Sequence, residues 1–136
     1  MKGQTAFEYA IIVCVAIVIL LPLWININNT MGITKIELQS SYSAHAVSKL
    51  QTAADAVYLQ GVPAKFTVII NLPEGVDSVS ISNHEISMRM SSAAGQADMI
   101  AMTLAEVEGS ISPRAGAHRV TVEALATGTV NMTESA

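Results

Sequence analysis

Between Tyr9 and Thr34 the chain carries no charged residue, and Ala10 to Ile25 is apolar throughout. Such a run is long enough to cross a bilayer, which takes about 20 predominantly apolar residues in a helix. A helix apolar on every side needs lipid or other protein around it, so this segment decides much of what the chain can be. A lone Lys2 precedes it. The positive-inside rule keeps a basic N-terminus in the cytoplasm and sends the remaining chain outward. A cleavable secretory signal is the first alternative, but its apolar region is shorter and is followed by a small-x-small cleavage pattern that is missing here. A plain single-pass anchor is the second. Cys14 is the one cysteine. It lies within the apolar run, where a thiol acts as a small protonated hydrophobe, so no disulfide framework and no redox centre are expected.

The edge of the run separates an anchor from something more specialised. It reads Lys2-Gly3-Gln4-Thr5-Ala6-Phe7-Glu8-Tyr9, with a carboxylate at the start of the apolar segment. An ordinary anchor has no use for that carboxylate. This pattern resembles the archaeal type IV pilin-like family with a class III signal, whose members carry a basic residue and Gly, then Gln, and shortly afterwards Glu beside an aromatic or apolar residue. Members often have Ser two residues before the Glu, where this chain has Ala6, and the leader here is three residues. The resemblance implies that a prepilin peptidase, reading Lys2, Gly3 and Gln4, cuts between Gly3 and Gln4. Glu8 then becomes the fifth residue of the mature chain, where pilins carry a conspicuous glutamate. Gln4, Phe7, Glu8 and Tyr9 are the implied assembly residues.

A carboxylate inside an apolar helix bundle is costly unless it is paired or protonated. Cleavage would create a partner, because the α-amino group freed on Gln4 of an incoming subunit could pair with Glu8 of the subunit already in place. Moving a helix from lipid into a bundle of like helices changes hydrophobic burial little, so packing, charge pairing and outer-domain contacts must favour the filament. The implied partners are other copies of the chain, the peptidase, a membrane platform protein, a cytoplasmic assembly ATPase, and the membrane before assembly.

Pro22 interrupts the run, and Asn26-Ile-Asn-Asn-Thr30 with Gly32 follows, so a kink or brief break is expected near 22–32. From Lys35 to Gln60 the pattern is again helical, with Ile36, Val47, Leu50, Ala54 and Val57 on one face and Gln39, Lys49, Gln51 and Asp55 on others. Gly61-Val62-Pro63 is a stop signal. A continuous helix from Gln4 to Gln60 would measure about 85 Å. Past Pro63 the period changes to two, with Phe66, Val68 and Ile70, then Val79 and Ile81, then Ile86, Met88 and Met90, then Ile100, Met102 and Leu104, then Val120 and Val122. Breaks are expected at Leu72 to Gly75, at Ser82-Asn83-His84, from Ser91 to Gln96, and from Gly109 to Gly116 around Pro113. Met88, Met90, Met99 and Met102 read as sheet-face and core filler rather than a binding surface.

The expected fold is α+β: a long N-terminal hydrophobic helix followed by a small antiparallel β-sheet or sandwich packed on the C-terminal half of that helix. Its parts are a leader (1–3), the helix (4–61, with 4–27 as membrane or filament core) and a β-rich extracellular domain (62–136).

Most chemistry finds no residues here. Charged side chains make up 13% of the 136 residues, the net charge is -4, and the seven basic residues are scattered singly, so a nucleic-acid footprint is absent. His45, His84 and His118 lie far apart, with no metal-ligand spacing, phosphate loop or nucleophile elbow. Neither catalysis nor a metal or other cofactor is expected, and His84 reads as a turn residue. Asn28-Asn-Thr30 and Asn131-Met-Thr133 match the N-glycosylation pattern; Asn131, near the end of the last strand or in the tail, is the better candidate, because Asn28 would lie between packed helices. The readings left open are a major filament subunit, a minor pilin or pseudopilin of a secretion or DNA-uptake fibre, and a membrane-anchored binding domain that does not polymerise.

Overall fold

Pro22, the Asn26 to Thr30 stretch and Gly32 all tend to weaken a helix, yet in the computed structural model, which describes residues 2–92 and 95–135, helix α1 runs through them from Lys2 to Gln60. The polar side chains turn back onto their own helix. Asn28 Nδ2 donates to the Trp24 carbonyl at 3.1 Å, Thr30 Oγ1 to the Asn26 carbonyl at 2.9 Å and Thr34 Oγ1 to the Thr30 carbonyl at 3.0 Å. Such back-bonding satisfies groups that would otherwise compete with the helix. Of the bend or brief break expected near 22–32, the break is not present, since α1 continues through Pro22, whose ring removes one N–H donor from the helix.

Contacts divide the chain into two units, Met1–Lys35 and Ile36–Ala136. In the first, the apolar side chains of α1 are exposed all round.

In the second unit, the remainder of α1 buries Ser43, Ala46, Val47, Leu50, Ala53, Ala54 and Val57 along one face. That stripe follows the i, i+3, i+4, i+7 rule, while Ile36, also assigned to it, is half-buried. Gly61 stops the helix with a left-handed φ of 70° and donates to the Val57 carbonyl at 3.0 Å.

Seven strands follow: β1 (Lys65–Leu72), β2 (Val76–Ser82), β3 (Glu85–Ser92), β4 (Gly95–Met102), β5 (Val107–Ser110), β6 (Gly116–Ala124) and β7 (Val130–Ser135). They form one sheet in the order β1-β6-β7-β5-β2-β3-β4, antiparallel everywhere except between β5 and β7. The fold is thus α+β, with a mixed sheet on the helix. Ile70, Leu72, Ile86, Met88, Val107, Val120, Val122, Val130 and Met132 project from the sheet into the core shared with the helix stripe.

Both sheet edges are tied to α1. The Ala124 amide bonds to the Ala64 carbonyl, so two-residue alternation turns the Ile69 carbonyl outward from β1, where Lys49 Nζ donates to it at 2.9 Å. At the opposite edge, Gln51 Nε2 donates to the Met102 carbonyl at 2.7 Å and Asp55 accepts the Leu104 amide at 2.9 Å. The sheet accordingly curls about this part of the helix, with Lys49 covering part of one exposed edge and Gln51 and Asp55 part of the other.

Several strand expectations need correction. β5 and β7 went unrecognised: β5 is four residues long and β7 alternates weakly, while Gly109 and Ser110, expected in a break, belong to β5. The break there is Ile111 to Ala115. In β4 the inward positions are Ala97, Met99 and Ala101, so Ile100 and Met102 face outward and Leu104 lies beyond the strand. Met102, at 64% exposed, lies on the outer sheet face, whereas Met88 and Met90 fill the core and Met99 packs against it.

Candidate functional site

The segment singled out by the sequence lies at the start of α1. Gln4 and Glu8 are four residues apart on this helix and so share a face, one turn from each other. Both are exposed, as are the flanking Phe7 and Tyr9, at 68% and 71%. Among the described residues no ion pair reaches Glu8. The side chains of Lys2 and Gly3, named for processing, lie outside the described residues.

Helix α1 is long and apolar enough to cross a membrane, and none of its most apolar window is buried against the rest of the chain. Val13, Val15, Ile17, Val18, Leu20, Leu21, Leu23 and Trp24 are all exposed. Pro22 opens a shallow groove lined by Val18, Leu21, Pro22, Ile25, Asn26 and Asn29, a surface that apolar side chains or lipid chains can fill. Cys14 is free and exposed on the same segment.

Asn28 and Asn131 occupy different settings. Asn28 is exposed within the single chain, with its amide bonded back to Trp24. Asn131 is the second residue of β7, not the end of a strand or a tail, and is half-buried between Glu123 on β6 and Glu108 on β5. It borders a shallow polar hollow with Lys65, Thr121 and Thr133.

One cluster escaped sequence reading. His118, 7% exposed, has Nδ1 2.6 Å from Glu134 Oε1 and Nε2 2.5 Å from the Arg114 carbonyl oxygen. Glu134 Oε2 accepts the Ser112 amide at 2.8 Å. That N–H, followed by the His118 hydrogen bond, holds the Glu134 carboxyl below the usual carboxylate range. The participants come from β6, β7 and the connector before β6, separations that no spacing rule signals. His84, by contrast, is the expected turn residue: Asn83, at φ 56°, and His84 join β2 to β3. Among the described residues no group of His, Cys, Asp and Glu side chains is placed to hold a metal ion.

On the surface, Arg89 and Asp98 face each other across β3 and β4 with two bonds of 2.8 and 3.1 Å. These hydrogen bonds lower the Asp98 carboxyl and raise the Arg89 guanidinium from their ordinary values. An exposed pair of this kind contributes little to stability.

In comparisons with known proteins, no family model, no curated sequence and no solved structure matches the chain.

Proposed function

We propose that this chain is the structural subunit of an archaeal type IV pilus-like extracellular filament used for adhesion or surface contact. The observation that carries the reading is Glu8. It is an exposed carboxylate with no ion-pair partner among the described residues, at the head of an apolar helix whose side chains are exposed, in a chain whose other unit has its own core. A helix like that calls for two environments in turn, lipid first and then the helices of other copies.

In this reading the precursor sits in the cytoplasmic membrane, with the β-rich unit outside. A prepilin peptidase cuts between Gly3 and Gln4. The new α-amino group of one subunit pairs with Glu8 of a neighbour, which sets the axial register and leaves uncut chains poor assemblers, because they would bury an unpaired carboxylate. A platform protein and an assembly ATPase draw the helix out of the bilayer, since burial alone does not favour bundle over lipid. Exposed apolar side chains and the groove at Pro22 then become helix–helix contacts.

The test is N-terminal sequencing of this protein from filaments sheared off cells. A start at Gln4 is the expected result, and the share of this chain in the filament separates a major from a minor subunit. Retention in membranes with Met1 intact, and absence from all filaments, overturns the reading in favour of an anchored binding domain.

A further inference from the structure

His118 is nearly buried, and each of its ring nitrogens faces an acceptor: a carboxylate oxygen of Glu134 at 2.6 Å and the Arg114 carbonyl oxygen at 2.5 Å. A neutral imidazole has one N–H to give. Neither tautomer can serve both partners, because a carbonyl carries no proton and the Glu134 carboxyl, which accepts the Ser112 amide on its other oxygen and is held below the usual carboxylate range, stays ionised and has none to give. Only the doubly protonated ring donates on both sides.

What these bonds join gives them leverage. Strand β7 lies between β6 and β5, so the β1-β6 pair is connected to the β5-β2-β3-β4 group through β7. The β5–β2 junction is itself thin, a single pairing of Ile81 with Gly109. Glu134 is close to the end of β7, His118 is on β6, and Ser112 and Arg114 belong to the connector between β5 and β6. One buried ring and one carboxylate thus hold the central strand, its neighbour and the connector together.

We propose that His118, Glu134 and the Ser112–Arg114 connector form a proton-dependent clasp, closed when the imidazole carries two protons and opened when it loses one, that secures the central strand β7 in the sheet. The charged groups facing the ring are the Glu134 carboxylate from β7 and, near that carboxylate, the Arg114 guanidinium from the connector. Ile70 is its neighbour on β1, and Lys49 of α1 is committed to the Ile69 carbonyl. Loss of the second proton leaves either the Arg114 carbonyl or Glu134 Oε1 without the imidazole N–H, so the clasp weakens as the pH rises. The clasp belongs to the β-rich unit and stands whether or not the chain polymerises.

The test is ring-nitrogen NMR on the full chain in detergent micelles, titrated upward from about pH 6, just below the ordinary imidazole range. Two ring protons on His118 at the start are expected, and loss of the second should coincide with shifts of the Ser112 amide and the Glu134 carboxylate and with faster exchange of the β7 amides. Thermal unfolding across the same titration should lose its downward slope in His118→Gln. A ring with a single proton at the start, or a second proton that leaves without change at Ser112, Glu134 and β7, overturns the proposal. Because the spectra are taken on the unmodified chain, a His118→Gln variant that fails to fold does not remove the test.

Discussion

At the scale of single residues, three positions carry effects that a contact map alone would understate. Glu8 has no ion-pair partner among the described residues. If it pairs with a freed amino group in a filament, Glu8→Ala leaves that group buried alone, and breaking such a pair costs about 3–5 kcal/mol. We expect Glu8→Ala to insert in membranes normally but to be absent from sheared filaments, as read by immunoblotting of the two fractions. Glu134 governs the acid limb of stability. Its carboxyl is held below the ordinary range by the Ser112 amide and His118, so its contribution is fully present above the unfolded carboxylate value and is lost as the pH falls through the lower folded value. Melting midpoints should therefore decline as the pH falls below about 5, through the carboxylate range, and Glu134→Gln should flatten that decline while lowering the neutral midpoint. Gly109 has φ +154°, and a Cβ there would run into the Met132 carbonyl oxygen. No side chain fits where β5 passes β7, and Gly109→Ala should cost at least about 2 kcal/mol in denaturant unfolding, by overpacking with no room to shift.

At the scale of elements, α1 is one helix with two different kinds of surface. Up to Lys35 its apolar residues face outward on all sides, so its stability depends on lipid or on other helices. Beyond that, one stripe is sealed under the sheet while Lys49, Gln51 and Asp55 bond to the sheet edges. Leu50 is fully buried at the centre of the stripe. Leu50→Ala should destabilise the β-rich unit by about 2–5 kcal/mol, the range for a buried leucine whose surroundings cannot collapse. Membrane insertion should be untouched, because the insertion signal lies wholly in the other unit. Fractionation together with chemical denaturation checks both halves of that statement.

At the scale of the whole molecule, chain order and sheet order disagree in a consequential way. The last strand of the sequence occupies a central place, so the sheet cannot close until the C-terminal residues are available. A chain ending after Gly128 lacks β7 and should lose protease resistance throughout residues 65–124, whereas loss of an edge strand would spare the remainder. Limited proteolysis with mass mapping distinguishes the two patterns.

Features that depend on local composition were legible in the residues themselves. The apolar run, the helix stripe at Val47, Leu50, Ala54 and Val57, the Gly61 stop and the turn at Asn83-His84 each follow from periodicity or backbone preference over a few residues. So did the α+β class. Tertiary structure decided the rest, because it turns on what lies far away in the chain. Pro22 and the asparagines signalled a bend or a brief break, and the helix runs through them unbroken, with Asn28, Thr30 and Thr34 bonded back to its own carbonyls. Ile100 and Met102 look like a core face, but pairing with β3 sets the register by Met99 and the small residues Ala97 and Ala101, and turns the larger ones outward. The parallel β5–β7 pairing and the His118–Glu134–Ser112 cluster arise only when segments separated in sequence are brought side by side. Local periodicity records which side of a strand is apolar; it holds no information about which strand lies next to it.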